Sequence, residues 1–367
     1  MKVTKRKLAI VGAHGLPAKY GGYCTLAEYL AEYKPKDFDV TVYCCKPEYQ
    51  EHPDSYKGVH LEWIDRPARG LQAFRYHAYG IKHAIKAGAD CILLCGPNGG
   101  FSLPFYPKHR DKFYMNVGGV EWKRNKYNFI LRNVMRLLMK LGVKSSAHLI
   151  ADNIGMQEYY KEEYGRKSTM IAYGGDQAQK TEITPEGLKM YPFLNKPFAV
   201  AIARIQRDNN TEMLLEAFKD AKIPLVYIGN WNVTPWAKAT REKYSVYPNL
   251  IMLDAIFDIP LLNQIRSNCA LYVHGHSAGG TNPSLVEAMH LGVPLACYDN
   301  GFNNNATYNK AFYFKSAEQL ADIVANTPEV KMQEVARTMK QLALDHYRWE
   351  TIAEQYYANF RNDPNKQ

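Results

Sequence analysis

Short apolar runs of strand length alternate with helical patterns along almost the whole chain, and that alternation leaves few folds open. In the first half, "KLAIVGA", "DVTVYCC", "VHLEWI", "CILLCG", "KFYMNVG" and "AHLIADN" read as buried strands, and "TLAEYLAEY" reads as a short amphipathic helix. Apolar runs bounded by helical stretches suit a parallel sheet covered on both faces. The stretch "DQAQKTEITPEGLKMYPFLNKP", Asp176 to Pro197, is polar, contains proline and keeps no period, so it reads as a linker. A second series follows, with strands at "FAVAIARI", "PLVYIGN", "LIMLDAI", "CALYVHG" and "VPLACYD" and helices at "TEMLLEAFKDA" and "NPSLVEAMHLG". Helices over 317–326 and 329–345 and the segment "WETIAEQYYANFRN" close the chain. The predicted class is α/β. Two Rossmann-like domains, 1–185 and 186–345, face each other across a cleft, and 346–367 form a closing helix and tail. A length of 367 residues fits two such domains.

Several classes are disfavoured at once. No run of about 18 apolar residues is present, so no membrane-spanning helix is expected. The start "MKVTKRKLAIVGAHG" is basic, but its short apolar run ends in a glycine loop, which reads as a strand and not a signal peptide. Seven cysteines lie mostly inside strand-like runs, as buried thiols of a reducing compartment would. Cys91 and Cys95 have no second pair at zinc spacing, so no metal is expected. The net charge of +10 falls entirely within residues 1–185, where 28 Lys and Arg meet 18 Asp and Glu. That half is expected to meet an anionic surface. Nucleic acid is not expected as a partner, because the basic excess lacks an interleaved aromatic platform.

Four motifs fall at strand ends, where open α/β sheets bind ligands. "GAHGLPAKYGGY", Gly12 to Tyr23, is a glycine loop between a strand and a helix, able to let backbone approach a ligand or simply to turn. "ARIQRDNNTEM" places Arg204 at a strand end, suited to bidentate phosphate recognition, though a surface arginine reads the same way. "VYIGNWN" and "LDAIFD" bring Gly229, Asn230, Trp231 and Phe257 to further tips, either against a nucleobase or packed on loops. "HSAGGTNPSLVEAM" leads from a strand through Gly279, Gly280 and Thr281 into a helix, with Asn282 as cap and Pro283 at its first position. The N–H groups and dipole of such a helix start attract a diphosphate, and Glu287 follows within reach of ligand hydroxyls. The plain alternative is a well-capped helix.

Taken in order, "GAHGLPAKYGGY", "NVGGVEWKRNKYN", "ADN", "ARIQRDNN", "IGNWN" and "GGTNPSLVEAM" resemble the retaining GT-B glycosyltransferases of family 4. More narrowly, the set is similar to the bacterial rhamnosyltransferase subgroup that builds capsule and cell-wall polysaccharides. The resemblance covers nearly the whole chain, and it implies a GT-B fold in which the closing segment 346–367 crosses back to pack on the first domain. It implies a nucleotide-sugar donor, dTDP-rhamnose as the expected one, held mainly by the second domain without a metal or other cofactor. The donor contacts would be Gly21, Gly22, Arg204, Asn209, Gly229, Asn230, Phe257, Gly279, Gly280, Thr281, Asn282 and Glu287. On the acceptor side it implies Lys19, Tyr20, Asn116, Gly118, Glu121 and Trp122, with Arg204 and Glu121 as the catalytic pair. The acceptor would be a saccharide linked to lipid diphosphate.

Three positions depart from the family's pattern. Gly279 stands where a first carboxylate is common, Asn209 where a basic residue is common, and Gly118 where the subgroup has Asp. Without a nucleophile and base pair, the resemblance implies that the leaving phosphate accepts the acceptor proton on the same face. The protein then positions the partners and stabilises developing charge. In "KRNKYNFILRNVMRLLMKLGVK", Arg132, Arg136, Lys140 and Lys144 recur every four residues beside apolar positions, as in a basic helix that docks on an anionic membrane or one packed on the core. The expected location is cytoplasmic, peripheral on the inner face of the plasma membrane. The competing readings are a GT-B nucleotide-sugar epimerase and a non-catalytic nucleotide-sugar binder.

Overall fold

The computed structural model of the chain describes residues 5–19, 21–119, 129–277 and 279–362. It divides into two compact units. The first runs to Tyr173 and takes up the chain again from Trp349, and the second is Gly174–Arg348.

The first unit is built on eight strands: β1 (Arg6–Val11), β2 (Phe38–Cys45), β3 (Ser55–Tyr56), β4 (Val59–Ile64), β5 (Cys91–Cys95), β6 (Phe113–Asn116), β7 (His148–Ala151) and β8 (Thr169–Met170). Their order in the sheet is β3-β4-β2-β1-β5-β6-β7-β8, and every pair except β3–β4 is parallel. The chain reverses direction across the sheet between β1 and β5, where Leu8 lies opposite Val40 on one side and Cys91 on the other. The helix Trp349–Arg361 completes this unit. It buries Trp349, Ile352, Tyr356, Tyr357 and Phe360 among Leu8, Val40 and Tyr114. The Trp349 indole stacks on Tyr29 at 4.7 Å, and Arg361 forms a two-point ion pair with Asp37, both bonds 2.8 Å.

The second unit carries β9 (Ala199–Ile202), β10 (Leu225–Ile228), β11 (Leu250–Leu253), β12 (Leu271–His274), β13 (Leu295–Tyr298) and β14 (Phe312–Phe314). Their order is β11-β10-β9-β12-β13-β14, all parallel. In sequence terms this is 3-2-1-4-5-6, the order of dinucleotide-binding sheets, with its switch point between β9 and β12. β12 has no polar position facing out: all four residues are buried, as are those of β10. All seven cysteines are buried thiols, and burial pushes Cys44 and Cys269 up to about 12.

Two boundaries differ from the sequence reading. Residues 174–185, expected with the first domain, pack within the second unit. The Gly175 amide donates to the Tyr347 carbonyl at 2.9 Å, and Asn268 Nδ2 donates to the Thr181 carbonyl at 2.9 Å. The supposed linker also contains a helix, Pro185–Met190, whose N-cap Thr184 accepts from the Gly187 amide at 3.0 Å. A capped proline start is a helix signal that lack of period conceals in a six-residue element. The return to the first unit comes at Trp349 and not at residue 346.

Candidate functional site

The loops after β9 and β12 are fastened to each other. Asn210 sits in the left-handed region (φ 52°) and sends its side-chain amide to the Gly275 carbonyl at 2.9 Å, so it does not cap the helix Thr211–Phe218 with its side chain. The Ser277 amide and hydroxyl both donate to the Asp208 carbonyl, at 3.0 and 2.7 Å. Gly275 has to be glycine, because a Cβ there would stand 2.4 Å from the Asn209 carbonyl oxygen. Arg204 lies exposed on the first of these loops. Its carbonyl is held by Asn209 Nδ2 at 2.6 Å, and Asn209 is 1% exposed. Asn209, expected as a donor contact, is thus a buried brace that shapes the loop presenting Arg204.

The helix Pro283–Leu291 begins as the residues require. Asn282 is the N-cap, its Oδ1 accepts from the Ser284 amide at 3.0 Å, and Pro283 occupies the first helical position. Gly279 has φ 148° with open space around its Cα. A side chain is strained at that angle, so the missing carboxylate follows from the path of the backbone. Thr281, expected at the donor, is buried, whereas Gly280 is half-buried. Glu287 is already engaged by protein donors: Arg266 Nη1 at 2.5 Å and Gln177 Nε2 at 2.6 Å. Its carboxylate keeps further acceptor sites. Arg266 and Gln177 were invisible to motif reading, since neither stands within a recognisable pattern.

Other expected donor residues separate by packing. Gly229 is where β9 and β10 ends close in, and a Cβ would come 2.3 Å from the Ala203 carbonyl oxygen. Asn230 is exposed and accepts from the Asn232 amide at 3.0 Å in a local turn. Trp231 is fully buried, with Nε1 donating to the Leu253 carbonyl at 3.0 Å, so it is a core residue. Phe257, beyond the end of β11, is 80% exposed.

In the first unit, the loops after β1 and β6 form a second cluster. Gly21 (φ 86°) opens the helix Gly22–Glu32, and the Gly22 carbonyl accepts from the Tyr173 hydroxyl at 3.1 Å. The Lys19 ammonium stands 4.5 Å over the Tyr49 ring. Asn116, expected at the acceptor, is held within the first unit. It is 4% exposed, its Nδ2 donates to the Tyr356 hydroxyl at 2.7 Å, and its Oδ1 accepts from the Gly118 amide at 2.9 Å. With both amide atoms used, it is a strut between the loop and the returning helix. Gly118 has φ 70°, and a Cβ would meet the Tyr23 hydroxyl at 2.5 Å. The Asp of the subgroup therefore does not fit here. Tyr20, Glu121 and Trp122 lie outside the described residues.

The basic helix spans Phe129–Ser145. It turns Leu138, Met139, Gly142 and Val143 inward and leaves Ile130 (74% exposed), Val134 and Leu137 outside, at spacings of four and three that form one stripe. Lys140 and Lys144 are exposed beside it, Arg132 is half-buried, and Arg136 is paired with Glu163 at 2.7 Å. Of the four cations expected along this helix, Lys140 and Lys144 are thus the exposed lysines beside the apolar stripe. Among the described residues no helix is long and apolar enough to cross a membrane, and no cluster of three His, Cys, Asp or Glu is placed to hold a metal.

Comparison with known proteins separates the two halves. Residues 190–338 match the family Glycosyl transferases group 1. Most of the second unit is thus similar to that family. Residues 5–176 match a domain of unknown function, DUF1972. No curated protein matches the chain. Among solved structures, sucrose-phosphate synthase from Thermosynechococcus elongatus is similar with a TM-score of 0.80 at 15% identity, over 99% of this chain and 100% of that one. Anabaena HepE in complex with UDP and glucose has a TM-score of 0.73 at 15% identity, over 97% and 99%. A glycosyltransferase from Rickettsia africae has a TM-score of 0.70 at 13% identity, over 99% and 100%. The fold of the chain is therefore GT-B, with two Rossmann-like α/β units.

Proposed function

We propose that the chain is a retaining glycosyltransferase that takes rhamnose from dTDP-rhamnose and places it on a saccharide acceptor linked to lipid diphosphate, in bacterial polysaccharide synthesis. The observation that carries the donor side is the fastening of the β9 and β12 loops around a capped helix start, within the residues that match the group 1 glycosyltransferase family. An exposed guanidinium and the positive end of a helix dipole are what a diphosphate leaving group needs. Arg204 neutralises charge as the sugar–phosphate bond breaks, and the helix start adds fixed dipoles. Anabaena HepE, solved with UDP and glucose, has a similar fold, which supports a nucleotide-sugar as the donor class. Rhamnose rests on the motif resemblance and on Gly279, where backbone replaces a carboxylate that would bind a sugar hydroxyl.

The acceptor side is supported by the stripe Ile130, Val134 and Leu137 beside Lys140 and Lys144. An apolar stripe flanked by lysines suits the headgroup boundary of an anionic leaflet, where a lipid-linked acceptor resides.

The test is a donor panel, dTDP-rhamnose, UDP-glucose and GDP-mannose, with lipid-linked saccharide acceptors and the product anomer read by NMR. Transfer of rhamnose with its anomeric configuration kept is expected. Arg204→Ala should cost about a hundredfold in kcat/KM while leaving Tm unchanged, because its side chain is exposed. Isomerised donor without transfer would establish an epimerase, and donor binding without turnover on any acceptor would establish a binder.

A further inference from the structure

His274 and His276 form a stacked pair that the donor reading leaves unused. The rings are 4.3 Å apart and 14° from parallel. His274 ends β12 and is 1% exposed, and neither of its ring nitrogens has a hydrogen-bond partner among the described residues. A neutral imidazole carries one donor and one acceptor, and burying both unpaired is costly. A buried, unpaired imidazole beside these loops calls for an explanation other than core packing.

The backbone of His276 is clamped from two sides. Its carbonyl accepts from Asn300 Nδ2 and Asn303 Nδ2, both at 2.9 Å, which fastens it to the segment after β13. The next residue, Ser277, is fastened to Asp208 after β9. The segments after β9 and β13 thus hold the β12 loop at Ser277 and at His276, six positions before the N-cap Asn282, and the His274 ring stacks on the His276 imidazole.

We propose that His276 is a ligand of the donor diphosphate, donating a ring N–H to a non-bridging phosphate oxygen of the nucleotide-sugar and of the nucleoside diphosphate product, with His274 as its positioning residue. This rests on the donor site proposed above. The proton comes from solvent as the anion binds. Burial and the neighbouring His276 ring hold His274 well below the ordinary histidine value, so His274 stays neutral and a proton taken up by the pair on binding would go to His276. The other charged groups on the elements around the pair are Asp208, Arg204 and Arg207 on the β9 loop, and Asp299, which is paired with Lys315 at 3.1 Å. The two arginines add to attraction for the diphosphate, and the Asp299–Lys315 pair adds no net charge.

Calorimetric titration of the full chain with dTDP and UDP at pH 7.5, in HEPES and in Tris, measures proton uptake on binding. Wild type should take up a proton fraction. His276→Asn should weaken binding about tenfold and abolish the uptake. His274→Phe, which keeps a stacked ring, should retain uptake with a smaller loss of affinity. Should His276→Asn fail to fold, NMR of the wild-type protein labelled at histidine nitrogens decides: His276 should titrate about one pH unit higher with nucleotide bound. Binding without uptake, together with an unmoved His276 titration or wild-type affinity in His276→Asn, overturns this inference alone. Absence of any nucleotide binding overturns it together with the donor site.

Discussion

The Arg266 guanidinium and the Glu287 carboxylate meet at 2.5 Å, with side chains only 7% and 19% exposed. Glu287 stands in the helix Pro283–Leu291, and Arg266 in the helix Ile259–Ser267. The carboxylate is therefore a structural counter-ion, whatever it contributes to the proposed donor site. Breaking a pair this buried leaves a charge without compensation.

Glu287→Ala should destabilise the protein by roughly 3 kcal/mol, because Arg266 stays buried and charged. Glu287→Gln, which keeps an acceptor for the Gln177 amide, should lie between. Urea unfolding of both variants checks this, and any loss of nucleotide affinity has to be read at temperatures where the variant is folded. A Glu287→Ala protein with wild-type stability would mean that the Arg266 contact contributes little.

Gly118→Asp, the residue of the subgroup, should cost about 2 kcal/mol and fail to improve transfer. Two separate terms oppose it: φ 70° and a Cβ 2.5 Å from the Tyr23 hydroxyl. Adding Tyr23→Phe removes the hydroxyl and should recover part of the loss, leaving the backbone term. A double-mutant cycle by urea midpoint measures that coupling. Additive effects would show that the Tyr23 contact is not the obstacle.

His77 makes the first unit sensitive to acid. Burial holds it down to about 4, against about 6.5 unfolded, and its Nδ1 faces the Ala73 carbonyl at 2.7 Å. The unfolded chain takes up the proton first as pH falls, so stability is complete above 6.5 and declines between 6.5 and 4. The loss amounts to roughly 3 kcal/mol at pH 4. His274, depressed in the same direction, adds to the effect. Urea midpoints at pH 7 and 5 should show the fall, and His77→Gln should flatten it; an unchanged slope in that variant would assign the acid sensitivity elsewhere.

Leu137→Asp with Ile130→Asp should abolish flotation of the protein with vesicles of phosphatidylglycerol and phosphatidylethanolamine. Lys140→Glu with Lys144→Glu should reduce it and remove its dependence on salt. Both pairs are surface positions, so Tm should hold within a few degrees. Arg136→Glu is the internal contrast, since its guanidinium is already paired with Glu163. Equal flotation of wild type and the Lys pair would argue against electrostatic docking.

What could be read from the sequence alone was everything carried by short-range patterns. Strands β1, β2, β4 to β7 and β9 to β13 announce themselves as apolar runs, and Asn282 with Pro283 announces a helix start, because period, cap and ring geometry act within a few residues. The two-residue strands β3 and β8 carry no period and were not legible. Tertiary structure decided which polar groups remain free. Asn116 looks like a ligand residue until Tyr356, 240 positions away, takes its amide. Gly118 looks like a lost acid until Tyr23 occupies its space. Leu137 and Leu138 look alike until the core takes one and leaves the other in solvent. Such choices depend on partners brought together by the folded sheet, and no local pattern encodes them.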